Sequence, residues 1–414
     1  MPTAGGERGL GAVLSERVFA RYVAGNAVSL VGSWTQRVAV GWLAWELEGS
    51  PFWLGIVAFA DLFPTLLLGP FGGLLADRLE RRRILLTTQS LLALQALSLA
   101  LLTLAGWIDI RVLVAMSALQ GLLVGINQPA RLAYIPTLVS RGRLASAVAV
   151  NSVVFNTARI AGPAVGGLLI AGFGTAAAFL ANTASYLVFI LALTGLPRSS
   201  PPTRSRAGWL TELREGVALV VGRGALAPVF AMVVGASVLL RPVAEFLPAL
   251  AAGVYGGGAG SFAVLTAALG AGAVAGGLWL AARPAADELP ALFGLQLAGV
   301  VALLLLLVSP DLRYAVAAAF LCGAAFAGTG VTAQSLLQKR VPVDFRGRVL
   351  ALYGLSMRSG PAIGALVAGS FAEGFGLRPT LAAGGLLYLL LVGHLLRRRR
   401  ELAGRLETLA AGGD

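Results

Sequence analysis

Six charged residues lie inside long apolar stretches of the sequence, and these residues are the ones best placed to do chemistry. They are Arg37, Asp61, Arg159, Arg241, Glu245 and Arg358. A charge at the centre of a membrane helix costs roughly 2.5–3.5 kcal/mol on insertion scales, unless it faces a polar cavity or a partner. A chain that keeps six such charges is therefore predicted to contain a polar path through a membrane.

Asp61 and Glu245 are the only acids deep within these stretches. Each is a candidate for proton coupling, because a proton and a bound molecule can compete for a carboxylate. Arg37 is the natural partner of Asp61, and Arg241 precedes Glu245 by four residues, which places both on one face of an α-helix. Two static salt bridges within the membrane explain the same residues equally well.

The composition excludes most other classes of protein. Hydrophobic residues make up 57% of the 414 residues and charged residues only 12%, whereas soluble domains carry about 25% charged residues. We therefore predict a polytopic membrane protein that is not an enzyme. Cys322 and His394 are the only residues of their types, so we expect no disulfide framework and no metal site. We also expect no cofactor, with a proton gradient as the driving force, and no cleaved signal peptide.

Apolar stretches long enough to cross a membrane recur along the chain. A helix needs about 20 apolar residues to do so, and this window predicts an all-α protein with twelve transmembrane helices. They lie near residues 19–46, 52–75, 83–107, 111–130, 144–171, 175–196, 225–252, 259–282, 289–309, 312–335, 347–372 and 378–396.

Basic residues divide unevenly between alternate loops of this arrangement. One side, which includes both termini, carries 25 of the 32 basic residues, and the other side carries only Arg111, Arg313 and Arg378. Positively charged loops remain in the cytoplasm, so both termini are predicted to be cytoplasmic. The same pattern explains the net charge of +13 without nucleic acid as a partner.

The longest hydrophilic connection, residues 197–224, divides the predicted helices six and six. We therefore expect a six-helix bundle at 1–196, a cytoplasmic linker at 197–224, and a second bundle with a basic tail at 225–414. Residues 209–221 alternate apolar and charged side chains at helical spacing, which predicts an amphipathic helix on the membrane surface. A plain basic linker is the alternative.

The fifth and eleventh predicted helices share a pattern of residues. Each begins with Arg-Gly-Arg, reaches an arginine shortly before Gly-Pro, and ends with Gly-Phe-Gly; the arginines before Gly-Pro are Arg159 and Arg358. Such similarity is typical of a duplicated six-helix unit, giving two pseudo-symmetric bundles. We expect the two arginines to line the central path or to bind carbonyl groups at the helix bends.

The loop after the second predicted helix combines glycine, aspartate and a basic cluster: Gly73, Asp77, Arg78, Arg81 and Arg82. A carboxylate at a helix end can pair with arginines and with the positive end of a neighbouring helix. The pattern resembles the signature loop of the major facilitator superfamily, although Glu80 replaces its usual second glycine. The resemblance implies that this loop acts as a gate that holds the two halves together on the cytoplasmic side. Arg346 or Arg348 would be the partner of the loop. A solvated topology signal is the alternative.

The fifth predicted helix also contains small residues around a proline: Gly162, Pro163, Gly166 and Gly167. Small residues permit close helix packing, and proline bends a helix. The spacing is similar to a glycine–proline motif of proton-coupled exporters in the superfamily, with Ala158 in place of its leading glycine. A tight helix crossing with a purely structural role explains the composition equally well.

Longer sequence segments extend the resemblance over nearly the whole chain. They include SWTQRVAVGWLAWELEGSPFWLG, NQPARLAYIPTLVSRGRLASAVAVNS and DFRGRVLALYG. These are similar to the enterobactin-exporter-like branch, also called the transmembrane secretion effector family. That branch implies export of siderophores or drug-like compounds across the bacterial inner membrane by alternating access. Ser117 stands where many proton antiporters have an arginine before Gln-Gly, so that coupling residue is absent.

The same residues are compatible with other functions. A uniporter or importer of the same fold would share every helix. A membrane sensor would keep the fold without flux, and a lipid-flipping protein would move labelled phospholipid. In each case we expect a monomer in the lipid bilayer, and for a transporter the partner is a small amphiphilic molecule.

Overall fold

A computed structural model describes residues 13–198, 209–222, 224, 226–282 and 287–410. Within these ranges every regular element is helical and no strand is present. The α-helices are α1 (Arg17–Glu48), α2 (Pro51–Arg78), α3 (Arg81–Leu104), α4 (Ile110–Tyr134), α5 (Leu144–Phe173), α6 (Thr175–Thr194), α7 (Trp209–Gly222), α8 (Leu226–Leu239), α9 (Ala259–Ala281), α10 (Glu288–Val308), α11 (Leu312–Arg340), α12 (Val343–Phe375), α13 (Leu377–Arg397) and α14 (Arg399–Ala410). Short 3₁₀ helices span Ile135–Thr137 and Arg141–Arg143.

Ten helical segments of the described chain are long and apolar enough to cross a membrane. They coincide with ten of the twelve predicted membrane helices. The other two predicted helices, the first and the eleventh, coincide with α1 and α12, which have 32 and 33 residues. The chain is therefore an all-α polytopic membrane protein, and the count of twelve crossings stays a prediction.

The chain forms two compact units. Unit 1 comprises Met1–Glu48, Ala60–Ser205 and Gly258–Ala263, and unit 2 comprises Gly49–Phe59, Arg206–Gly257 and Val264–Asp414. These units differ from the predicted bundles mainly in two short segments. The start of α2 belongs to unit 2, and the start of α9 belongs to unit 1.

Close contacts at glycines explain where these two segments belong. Gly55 of α2 packs against α12, where an added Cβ would lie only 2.4 Å from the carbonyl oxygen of Ala365. Gly167 of α5 packs against the start of α9, where an added Cβ would lie 1.8 Å from the Cβ of Ala263. A side chain at either glycine would push the two helices apart.

The Gly-Pro positions of α5 and α12 pack in the same way, each within its own unit. A Cβ on Gly162 would lie 2.3 Å from the Cβ of Trp34 in α1. A Cβ on Gly360 would likewise lie 2.3 Å from the Cβ of Ser237 in α8. In both helices the following proline lies inside the helix. The tight helix crossing left open by the sequence is therefore present in both units.

Two aspartates begin corresponding helices of the two units. The Asp109 carboxylate accepts a hydrogen bond from the backbone N–H of Val112 (2.8 Å), at the start of α4. The Asp311 carboxylate accepts one from the N–H of Arg313 (2.8 Å), at the start of α11. Such N-caps satisfy N–H groups that have no partner within the helix. They also provide fixed points for comparing the two halves of the sequence.

Helix α7 lies where the sequence predicts a helix in the connection. It packs against α12 within unit 2, with the Glu215 carboxylate 3.1 Å from Nε of Arg348. Gly216 lies next to the same arginine, close to its carbonyl oxygen. Arg348 therefore has a carboxylate partner on the linker helix, whereas its role as a partner of the gating loop stays a prediction.

Candidate functional site

Arg37 of α1 and Asp61 of α2 form an ion pair in unit 1. The distance from Nη1 of Arg37 to Oδ2 of Asp61 is 2.9 Å, and the side chains are 29% and 17% exposed. The Arg37 guanidinium also lies 5.9 Å from the ring centre of Trp34, within the range of cation–π attraction. The structure thus brings together the two charges that the sequence suggested as partners, in a partly buried position.

The backbone around Asp61 is held by close packing against α4. A Cβ on Gly121 would lie 2.3 Å from the carbonyl oxygen of Asp61. The hydroxyl of Thr65, one turn further along α2, donates a hydrogen bond to the carbonyl oxygen of Gly121 (2.9 Å). The Asp61 carboxylate is therefore presented by a helix whose position is fixed by its neighbour.

A network of buried amides is centred on the residue that precedes Arg37 in the sequence. The Gln36 amide donates to the side-chain oxygens of Gln95 (3.0 Å) and Gln120, and it accepts from Nδ2 of Asn182 (2.7 Å). All four side chains are buried, and they join α1 to α3, α4 and α6. This network was not predicted from the sequence. Its members come from four separate helices, so no spacing in the sequence connects them.

We expect the variant Gln36→Met to be destabilised by about 2–4 kcal/mol. Methionine keeps the shape but leaves several buried amide groups without partners, at about 1–3 kcal/mol for each unsatisfied group. Thermal unfolding of the purified protein measures the effect. Gln89→Met is the matched control, because Gln89 is also fully buried in α3 but its amide has no hydrogen-bond partner in the described chain. Equal melting temperatures for the two variants would contradict a stabilising role of the network.

Arg241 and Glu245 do not share an α-helical face, so this part of the sequence interpretation was wrong. Arg241–Phe246 is a 3₁₀ helix, followed by one α turn (Leu247–Ala249) and a π turn (Leu250–Val254). In a 3₁₀ helix residues three apart, and not four apart, lie above one another. The sequence predicted a continuous helix near residues 225–252, but this segment changes its helical type instead. The Arg241 guanidinium contacts the sulfur of Met357 at 3.7 Å.

Arg159 and Arg358 lie in α5 and α12, before the two Gly-Pro pairs. Arg159 is partly buried, and its Nε has no hydrogen-bond partner in the described chain. Arg358 is exposed. No ion pair joins either arginine to a described carboxylate, and neither binds a carbonyl group at the helix bend. The structure therefore does not show the expected binding of carbonyl groups by these two arginines. Their role in lining a polar path stays a prediction.

The predicted gating loop is held by its arginines. The Arg82 guanidinium donates to the carbonyl oxygens of Leu193 (2.8 Å) and Thr194 (2.5 Å) at the end of α6. Arg81 donates from Nε to the carbonyl oxygen of Ala76 (3.3 Å). The Arg82 contacts lie at the C-terminal end of α6 and the Arg81 contact lies at the C-terminal end of α2, where carbonyl groups lack partners within the helix.

The other residues of the loop have fewer contacts. Arg78 is exposed, and Asp77 is partly buried without an ion pair to a described residue. An added Cβ on Gly73 would meet no atom within 4 Å, whereas one on Gly72 would lie 2.5 Å from the carbonyl oxygen of Gly125. Close packing therefore requires glycine at position 72 and not at position 73.

No group of three or more His, Cys, Asp or Glu side chains in the described ranges is arranged to hold a metal ion. The chemistry of the site is that of one carboxylate–guanidinium pair, with the ring of Trp34 next to the guanidinium. Such a group can exchange a proton and can bind the polar part of a small molecule.

The chain is similar to known transporters in sequence and in fold. The sequence family described as transmembrane secretion effector matches residues 10–408. The chain is 27% identical to the uncharacterized MFS-type transporter YfiS of Bacillus subtilis, over 92% of this chain and 93% of that protein. It is 29% identical to the enterobactin exporter EntS of Escherichia coli, over 80% of each chain. The crystal structure of the nucleoside transporter NupG has the same fold, with a TM-score of 0.73 at 12% identity, covering 92% of this chain and 98% of that one.

Proposed function

The chain belongs to the transmembrane secretion effector family of major facilitator transporters, and on that premise we propose that it exports a small amphiphilic molecule of the siderophore or drug-like class. The proposed cycle is alternating access in the bacterial inner membrane, driven by the proton gradient, with both termini in the cytoplasm. The family and the relatives are transporters and not enzymes.

The ion pair between Arg37 and Asp61 is the observation that carries the proposal. A charged pair at membrane depth is costly to keep, and neither side chain is fully buried within the chain. Protonation of Asp61 removes its negative charge and weakens the contact with Arg37. A hydrogen-bond-donating group of the substrate binds the ionised carboxylate, so the proton and the substrate compete for Asp61.

Competition of this kind couples the movement of the proton to the movement of the substrate. Substrate binding at Asp61 disfavours protonation of the carboxylate, and protonation disfavours substrate binding by the same factor, because coupling between two binding events is reciprocal. Glu245, in the 3₁₀ segment of unit 2, is the second candidate for the coupling carboxylate. The relative EntS is an enterobactin exporter, and this supports the export direction and the siderophore class.

A uniporter of the same fold is the second candidate function, and Ser117 favours it. The Ser117 hydroxyl donates to the carbonyl oxygen of Leu113 (2.8 Å) within α4. The position that carries an arginine in many proton antiporters therefore adds no charge to the path here. A uniporter would move substrate down its gradient whether or not a proton gradient is present.

Transport into inside-out membrane vesicles distinguishes the two functions. A panel of siderophores and hydrophobic drugs is offered to vesicles with and without a proton gradient. We expect at least one compound to accumulate in vesicles that contain the native protein, and only when the gradient is present. Uptake at the same rate without the gradient would favour the uniporter. No uptake of any compound beyond that of vesicles lacking the protein would contradict export of this substrate class.

A further inference from the structure

The N-terminal half of α5 carries a polar and aromatic face that the described chain leaves partly uncovered. Ser152, Phe155 and Asn156 are exposed, and Arg159 is partly buried. Their spacing of three, four and seven residues places them on one side of the helix. They lie near the middle of the segment Arg141–Phe173, which is long and apolar enough to cross a membrane. Polar and charged side chains at such a depth face a protein interior or a water-filled cavity and not lipid, so this face is suited to line a polar path.

The same side of α5 is closed in its C-terminal half. Gly162 and Gly166 are buried there, and a Cβ on Gly166 would lie 3.2 Å from the carbonyl oxygen of Thr35 in α1. The Thr35 hydroxyl also donates a hydrogen bond to the carbonyl oxygen of Gly162 (3.0 Å). Room for a ligand on this side of α5 therefore ends just after Arg159.

Arg159 is the unusual member of the open face. Its Nε is buried without a hydrogen-bond partner in the described chain, and no described carboxylate forms an ion pair with it. Two turns earlier on the same side, Asn151 accepts a hydrogen bond from Asn26 of α1 (3.3 Å), whose own buried side-chain oxygen also lacks a described partner. Buried polar atoms are normally hydrogen-bonded, and each exception requires an explanation. A guanidinium without a carboxylate partner is well suited to the anionic oxygen of a ligand.

An aromatic pair lies one helical turn before Arg159. The rings of Phe155 and Trp34 meet edge to face, with their centres 6.2 Å apart and their planes at 70°. Phe155 is 37% exposed, so part of its ring is not covered by the described chain. Aromatic rings attract one another in edge-to-face and offset-stacked arrangements. Because the Arg37 guanidinium also lies near the Trp34 ring (5.9 Å), the pair connects this face of α5 to the ion pair of α1 and α2.

We propose that this face of α5 binds an aromatic acid group of the transported molecule. The aromatic ring packs on Phe155 and Trp34, and the anionic oxygens accept hydrogen bonds from the guanidinium of Arg159. Residues four apart on a helix have their Cβ atoms roughly 5–6 Å apart, so a carboxylate attached to a ring can reach both Phe155 and Arg159. The inference rests on the proposed function, because it takes the ligand to be part of the transported molecule.

Benzoate and cyclohexanecarboxylate test the inference on the purified native protein. The two anions have the same charge and nearly the same size, but only benzoate has an aromatic ring. A ligand that binds the folded state raises the melting temperature as its concentration increases, and thermal unfolding is followed at constant ionic strength. We expect benzoate to raise the melting temperature clearly more than cyclohexanecarboxylate does. Equal shifts for both anions, or no shift for either, would overturn the proposal.

Two variants locate the ring and the charge of the ligand. Phe155→Leu keeps an apolar side chain but removes the ring, so we expect both anions to give equal shifts. Arg159→Gln keeps a hydrogen-bond donor but removes the charge, so we expect most of the benzoate shift to be lost. Each shift is measured from the variant's own melting temperature without ligand, which separates lost binding from lost stability. A benzoate shift of native size in either variant would contradict the site.

Phe173→Leu and Arg141→Gln are the matched controls. Phe173 is near the end of α5 and 79% exposed, and Arg141 is exposed in the short 3₁₀ helix that precedes α5. Both variants are expected to keep the native preference for benzoate. Loss of that preference in a control, to the same extent as in Phe155→Leu or Arg159→Gln, would contradict a site on this face. Because flux is not measured, failure of this inference leaves the transport tests unaffected.

Discussion

Asp61→Asn is expected to abolish the acceleration of substrate export by a proton gradient. Asparagine keeps the size of the side chain but cannot exchange a proton, and it removes the charge that pairs with Arg37 at 2.9 Å. Coupling between sites typically corresponds to about 1–3 kcal/mol, or roughly 5- to 150-fold in affinity. A loss of about tenfold or more in gradient-driven rate is therefore expected. Transport by reconstituted protein, with and without the gradient, measures it.

Two further variants separate coupling from folding. Asp61→Asn leaves the Arg37 charge without this partner in a partly buried position, which can lower stability by itself. Arg37→Gln combined with Asp61→Asn removes both charges and is expected to restore stability without restoring coupling. Asp61→Glu keeps a carboxylate and is expected to retain part of the coupling. A fully coupled Asp61→Asn variant would show that the carrier carboxylate lies elsewhere, with Glu245 as the next candidate.

Gly162→Ala is expected to destabilise the protein by about 1–3 kcal/mol, the usual range for an overpacked core. The added Cβ would lie 2.3 Å from the Cβ of Trp34 and 2.9 Å from the carbonyl oxygen of Val31. Both belong to α1, so α5 and α1 would have to separate next to the residues that precede Arg37. Thermal unfolding measures the loss of stability.

Gly172→Ala is the control in the same helix. An added Cβ on Gly172 meets no atom within 4 Å, and alanine in a helix is favoured over glycine by roughly 0.5–1 kcal/mol. This variant is therefore expected to be neutral or slightly stabilised. If Gly162→Ala were as stable as Gly172→Ala, close packing would not explain the glycine–proline motif.

The helical architecture is largely predictable from the sequence because long apolar stretches have few alternatives in a membrane. Asp61 and Arg37 could be suggested as partners because they are opposite charges in adjacent membrane helices. The Gly162 contact could be suggested because small residues recur at helical spacing around a proline. In each case a local feature of the sequence is enough.

Other features depend on contacts that no local pattern reveals. The amides of Gln36, Gln95, Gln120 and Asn182 come from four helices, and only their packing joins them. The segment after Arg241 changes from 3₁₀ to α to π geometry, whereas its prolines alone indicate only a kink.

Proton movement driven by substrate is the most direct test of proton-coupled export. Liposomes that contain the native protein are given a gradient of a compound that the vesicle experiments identify as a substrate, with no initial pH difference, and the internal pH is followed. We expect protons to move against the direction of the substrate, and we expect Asp61→Asn to abolish that movement while substrate still binds. Proton movement in the same direction as the substrate, or substrate flux without proton movement, would contradict proton-coupled export.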